Sequence, residues 1–375
     1  MVKKHIYILI ALILVIKTGY VAISISVGDK HDNFFKDYVT ALNKNDSYWY
    51  KKIAENGYPN ITKKEDIGYS NGAIFKQSSW AFFPFYPYLL KSTMYVLGID
   101  FETSAFFWSL FFSIAMIIGF YWFGTIFFKN NELAFYTSCL LIFFPFTFYF
   151  SVFFTEVLFL TFVIFSFITV HYKRLFLLFF LLIPLVLLRP NGIIVILPLY
   201  IYFLEKQSII EKNKIKWNKV FEKNNLLNSL FFISGPIVFL VYCFYQYSVT
   251  GYFFAFSIAQ QGWYREFMLP FLSFFRSSDL NTQFNSWYTI AVIIFAFWNR
   301  KKLPLSFNVF ILLSVLLPLL SGSVMSMTRF VSLLFPLYFL VSKPLFSIRY
   351  KYLILFFFLG LHYFTYLAWI KNLIS

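Results

Sequence analysis

Cysteine is nearly absent: the 375 residues include two, Cys139 and Cys243, each inside an apolar run. That excludes a disulfide framework and a metal site built on thiolates. Charge is also scarce, with 13% Asp, Glu, Lys and Arg, where a soluble globular domain carries about a quarter. Together with 60% hydrophobic and 25% aromatic residues, this excludes a soluble globule and points to an all-α polytopic membrane protein. Histidine is limited to His5, His31, His171 and His362, whose scatter has no ligand spacing, so no metal or other cofactor is expected. No internal repeat or low-complexity linker divides the chain, and one transmembrane domain over residues 1–375 is the economical reading.

What is present is a series of apolar runs, some as long as the roughly 17–25 residues that span a bilayer and others shorter. Candidates lie at 5–26, 104–128, 133–150, 156–171, 175–188, 190–204, 226–248, 286–299, 304–321, 328–342 and 351–370, about eleven transmembrane helices in all. The first resembles a signal peptide, but its length and the lack of a small-residue cleavage site favour an uncleaved anchor. Lys17 interrupts it and either faces other helices or a wet cavity, or snorkels outward. With the amino terminus in the cytoplasm, the cytoplasmic segments carry 17 Lys and Arg against 4 acidic residues, whereas residues 27–104 carry 9 of each sign. The formal charge of +16 therefore orients the chain by the positive-inside rule and does not indicate nucleic acid. Residues 27–104 become a large first extracytoplasmic loop. Within it, Trp80 to Pro87 is apolar but broken by Pro84 and Pro87, which suits a segment anchored beside the bilayer.

The remaining unusual polar residues collect on the outer face of that threading. Asp46 is in the first loop, Thr155-Glu156 opens the fourth span, and Arg189-Pro190-Asn191-Gly192 turns between the fifth and sixth. A later loop holds Gln260-Gln261-Gly262-Trp263-Tyr264-Arg265-Glu266, Arg276 and Asp279, and Arg329-Phe330 stands at the outer start of the tenth span. An arginine fork binds phosphate bidentately and stays charged at physiological pH. A carboxylate beside an acceptor hydroxyl takes its proton as the new bond forms. These groups suit transfer of a sugar from a lipid-linked phosphate, with Asp46 as base, Arg189, Arg265 and Arg329 on the phosphate, and Trp49, Tyr50, Glu156, Asn191, Trp263 and Tyr264 around the substrate.

Each group has a plainer reading. Asp46 is a loop carboxylate that can simply be solvated, the arginines can bind anionic headgroups, Glu156 can serve its helix dipole, and the aromatics can be an interfacial belt. The triplets Asn45-Asp46-Ser47 and Asn60-Ile61-Thr62 match the short glycosylation pattern. A lipid-linked glycan flippase or other transporter is the alternative from a different class, although alternating access favours ionisable groups near the bilayer midplane. A polymerase or ligase of surface glycans shares the outer-face chemistry.

Five motifs in order carry a family resemblance: Asp46-Ser47-Tyr48-Trp49-Tyr50, Ile53-Ala54-Glu55-Asn56-Gly57-Tyr58, Phe82-Phe83-Pro84 through Pro87, Phe153-Phe154-Thr155-Glu156-Val157-Leu158-Phe159, and Arg189-Pro190-Asn191-Gly192. They resemble the PIG-V family, the mannosyltransferases that add the second mannose of glycosylphosphatidylinositol anchors, together with bacterial relatives. The resemblance covers roughly the first 200 residues, with Arg329-Phe330 and Leu334-Phe335-Pro336 beyond them. It implies a GT-C glycosyltransferase, a polyprenyl- or dolichyl-phosphate-linked mannose donor, an inverting reaction on the extracytoplasmic face, a lipid or glycan acceptor and no obligatory metal. Asn45 stands where the family usually has tryptophan, and Pro190 where a small polar residue is common. The Lys, Asn, Ile and Phe content suggests a bacterial relative in the plasma membrane, bathed in membrane lipids.

Overall fold

The computed structural model describes residues 2–27, 33–61, 63–70, 75–211, 214–276 and 279–374; His31 and Thr62 lie outside them. It is 79% helical with almost no sheet. In chain order the helices are α1 Val2–Val27, α2 Phe34–Leu42, α3 Asp46–Asn56, α4 Phe85–Leu97, α5 Phe101–Phe128 and α6 Asn131–Phe143. They continue with α7 Glu156–His171, α8 Leu175–Leu188, α9 Asn191–Lys206, α10 Trp217–Val220, α11 Lys223–Ser229 and α12 Ser234–Thr250. The last six are α13 Ala255–Ala259, α14 Leu280–Asn299, α15 Leu305–Leu320, α16 Met327–Ser332, α17 Phe335–Phe346 and α18 Lys351–Ile370. Among the described residues two short antiparallel hairpins interrupt them, β1 Tyr69–Ser70 with β2 Phe75–Lys76 and β3 Ile210–Glu211 with β4 Lys214–Ile215.

Among the described residues, four stretches are long and apolar enough to cross a membrane: Val2–Val27, Phe101–Phe128, Lys223–Thr250 and Lys351–Ile370. Several other expected spans are shorter helices, and proline explains where two of them stop. The 133–150 run ends as α6 at Phe143, because Pro145 pushes Phe144 into extended backbone (φ −63°, ψ 138°), and a 3₁₀ segment follows over Pro145–Phe150. The 328–342 run divides into α16 and α17, with Pro336 in the first turn of the second helix. Polar caps start others: the side chains of Asp100, Asn130 and Asp279 accept backbone N–H bonds at the starts of α5, α6 and α14.

Residues 27–104 are not a plain loop, since α2, α3 and α4 occupy about half of the described part. The expectation that Trp80 to Pro87 anchors beside the bilayer is corrected here. Trp80, Phe83 and Tyr86 are buried inside the protein, the Trp80 indole donates to the Pro59 carbonyl at 3.1 Å, and Tyr58 donates to the Phe82 carbonyl at 2.6 Å. An indole N–H and a phenol are satisfied by nearby backbone, so the segment packs as core. Lys17 likewise points inward and donates to Ser109 Oγ of α5 at 3.2 Å.

A cluster of phenylalanines joins α5, α7, α15 and α17. The Phe335 ring of α17 lies 5.4 Å from Phe167 of α7, 5.2 Å from Phe307 of α15 and 5.7 Å from Phe123 of α5. Lipid tails are as apolar as these rings, so close packing and ring geometry hold the helices together. At the α8–α9 turn, a Cβ built on Gly192 would fall 2.1 Å from the Leu185 carbonyl oxygen. Gly192→Ala is therefore expected to force the two helices apart and cost about 1–3 kcal/mol, read as a lowered unfolding temperature of the detergent-solubilised protein.

Candidate functional site

Glu156, the first residue of α7, is completely buried, and its charge is met by two guanidinium groups. Its Oε1 accepts from Arg189 Nη1 at 2.7 Å and from Arg329 Nε at 2.5 Å, while Oε2 has no partner among the described residues. Arg189 comes from the end of α8, where extended backbone (φ −168°, ψ 159°) precedes Pro190. Arg329 comes from α16, which starts after Ser326 in left-handed backbone (φ 64°). Three helix ends far apart in sequence thus meet on one carboxylate.

Arg329 also reaches forward. Its Nη1 lies 2.7 Å from Oδ2 of Asp46, the first residue of α3. The guanidinium therefore bridges two carboxylates, and its face lies 4.4 Å from the Phe154 ring centroid. Arg265 differs from the other two arginines. Among the described residues it has no carboxylate partner within ion-pair distance, and its one polar side-chain contact is a long 3.5 Å approach to Ser321 Oγ. Burial lowers its pKa to about 10, with Asp46 raising it and Arg329 and Arg189 lowering it. It remains a cation at neutral pH. Burial and the nearby Asp46 charge both raise the Tyr50 phenol, which stays neutral.

These groups surround one cavity of about 280 Å³, lined by Asp46, Tyr50, Arg189, Asn191, Trp263, Arg265 and Arg329 among others. Its size is near the lower bound of roughly 300–1,000 Å³ for small-molecule sites. Seven of the ten site residues expected from sequence line it, and three do not. Glu156 lies behind the arginines, fully occluded, where two positive neighbours stabilise its buried charge. Trp49 stacks on Phe82 at 5.9 Å and meets Trp263 edge-on at 5.6 Å, so it backs the cavity wall. Tyr264 takes left-handed backbone (φ 54°), is 55% exposed and does not line the cavity.

Of the other outer-face groups, Asp279 caps α14. Arg276 is exposed and is not part of the wall. Sequence reading missed Phe82, Phe83, Ser257, Gln260, Ser321, Met325 and Phe330 as lining residues. Gln260, Phe330, Phe82 and Phe83 stand inside motifs that the sequence brought forward but were given no role in the site; Ser257 and Met325 carry no sequence signal. No group of three or more His, Cys, Asp or Glu is placed to hold a metal ion among the described residues.

The chain matches no protein-family model, and a search of curated proteins finds no similar sequence. Glu156→Ala would leave Arg189 and Arg329 facing each other without the shared anion, and a stability loss of about 3–5 kcal/mol is expected. Thermal unfolding in detergent checks this, with Arg265→Ala as a comparison that breaks no ion pair and costs less.

Proposed function

We propose that this chain is an integral membrane glycosyltransferase of GT-C type, related to the PIG-V mannosyltransferases that its motifs resemble. In this reading it moves a hexose, mannose by the resemblance, from a polyprenyl-phosphate donor to an acceptor hydroxyl, with inversion, on the extracytoplasmic face. The observation that carries the reading is that Asp46 and three guanidinium groups line one cavity. Three arginines against the carboxylates of Asp46 and Glu156 leave one net positive charge. That matches the single negative charge of a phosphodiester donor.

The acceptor oxygen attacks the anomeric carbon while the bond from that carbon to the phosphate oxygen breaks. Asp46 takes the acceptor proton. The bonding electron pair leaves on the phosphate, which gains a second negative charge as it becomes a monoester, and the arginines stabilise that charge. Direct displacement at one carbon gives inversion. Arg265 is the primary phosphate ligand because its guanidinium is not committed to a carboxylate. Arg329 supplies a second contact and couples the two substrates: a phosphate that engages Arg329 competes with Asp46 for the same guanidinium and frees the carboxylate to act as base. Glu156 holds Arg189 and Arg329 in place. Asn191 and Trp263 offer an amide and a ring face to the sugar.

Purified protein in liposomes with labelled polyprenyl-phosphate mannose separates the enzyme from a flippase, since the first moves label covalently to an acceptor and the second moves intact donor across the bilayer. Asp46→Asn is expected to insert and fold but to lose transfer by about 10²–10⁴-fold; near-normal turnover would remove Asp46 as the base. Arg265→Ala is expected to weaken donor binding by about 1.5–3 kcal/mol with little change in thermal stability. Unaltered donor affinity would exclude Arg265 from the phosphate site.

A further inference from the structure

At the end of α9 remote from the cavity the chain builds a second charged surface. Asn191, at the cavity, and Glu205 are 14 helical residues apart, about 21 Å along the axis. There a cleft of about 700 Å³ opens between the β3–β4 hairpin and the turn from α14 to α15, with Ile210 on one side and Arg300, Lys301, Leu303, Pro304 and Asn308 on the other. The carboxylate in its wall is already engaged, because Glu205 accepts from the Ser306 backbone N–H at 3.3 Å and from Ser306 Oγ at 2.6 Å, at the start of α15. Arg300 lies over the Phe297 ring and donates to the Phe297 carbonyl. Lys301 is exposed, and no ion pair or hydrogen bond engages its ammonium among the described residues.

The hairpin continues this surface. Lys214, Lys216 and Lys223 are exposed, and of these Lys216 is paired, with Glu211 at 2.5 Å. Among them stand Trp217 and Phe221, 63% and 68% exposed and four residues apart, hence on one side of a helical turn. Past the exposed Glu222, Lys223 and Asn224, exposed Leu226, Leu227, Leu230, Ile233, Ile237 and Leu240 present apolar surface leading into α12, part of the Lys223–Thr250 stretch of membrane-spanning length. Lysines flanking an aromatic pair, just ahead of a helix of membrane-spanning length, suit an interfacial element.

We infer that this end of the molecule binds an anionic phospholipid, with its phosphate in the cleft near Lys301 and Arg300 and its acyl chains against Trp217, Phe221 and α12. The positive charge and the exposed apolar side chains beside it select that occupant over a soluble anion, which would use the cations but not the exposed rings. The site is separate from the proposed sugar-transfer cavity and does not depend on it.

Native mass spectrometry of the full chain in detergent, titrated with phosphatidylglycerol or phosphatidylcholine, tests the inference. Phosphatidylglycerol should bind at least tenfold more tightly, and the preference should weaken as ionic strength rises. The combined variant Lys214→Gln, Lys223→Gln and Lys301→Gln should lose the preference, while Lys→Arg at the same three positions keeps it and controls for folding. Equal retention of the two lipids by the unmodified chain would overturn the proposal, as would undiminished phosphatidylglycerol binding by the glutamine variant. Soluble glycerol phosphate held as tightly as phosphatidylglycerol would also overturn it, because the rings would then contribute nothing.

Discussion

The ion cluster centred on Glu156 is the constraint on which the site depends. A carboxylate with no exposure to solvent is costly unless opposite charges surround it, and here two guanidiniums converge on a single oxygen. Those guanidiniums belong to the end of α8 and to α16, so the electrostatic requirement of one buried anion fixes the relative placement of three elements. The phenylalanine cluster around Phe335 meets the same requirement from the apolar side by packing α17, and therefore the adjoining α16, against α7. Arg329 extends the arrangement to Asp46, and with it α3 is tied to the bundle.

Three arginines of one cavity thus fall into different physical classes. Arg189 and Arg329 are committed to carboxylates within hydrogen-bond distance, and Arg265 is not. In the proposed reaction this division matters, because a guanidinium already neutralised attracts a phosphate less than a free one does. A cation shared between the base and an incoming phosphate also makes the two interactions competitive, which links donor binding to the freeing of Asp46. The surface around Trp217 and Lys301 follows a different logic, with exposed charge and exposed apolar area side by side.

Sequence reading and structure agree most closely where the signal is local. The runs 156–171, 175–188 and 351–370 appear as α7, α8 and α18 with the same limits, because length and hydropathy act residue by residue. The inward direction of Lys17 was open in the sequence, since both a buried and a snorkelled lysine fit the same apolar run. Trp80 to Pro87 was misplaced for a related reason: an apolar, proline-broken segment suits an interface or a core equally, and only the neighbours that satisfy the Trp80 indole decide between them.

The chain's composition by itself determined that it is helical and rich in apolar runs, and its motifs brought Asp46, Arg189, Arg265 and Arg329 forward as candidates. Tertiary structure alone decided that these four side chains line one cavity, that Glu156 stands behind it, and that Trp49 and Tyr264 are outside it. The physical reason is that hydropathy and turn chemistry are read along the chain, whereas an ion pair spanning 173 residues in sequence exists only once packing has brought its helix ends together.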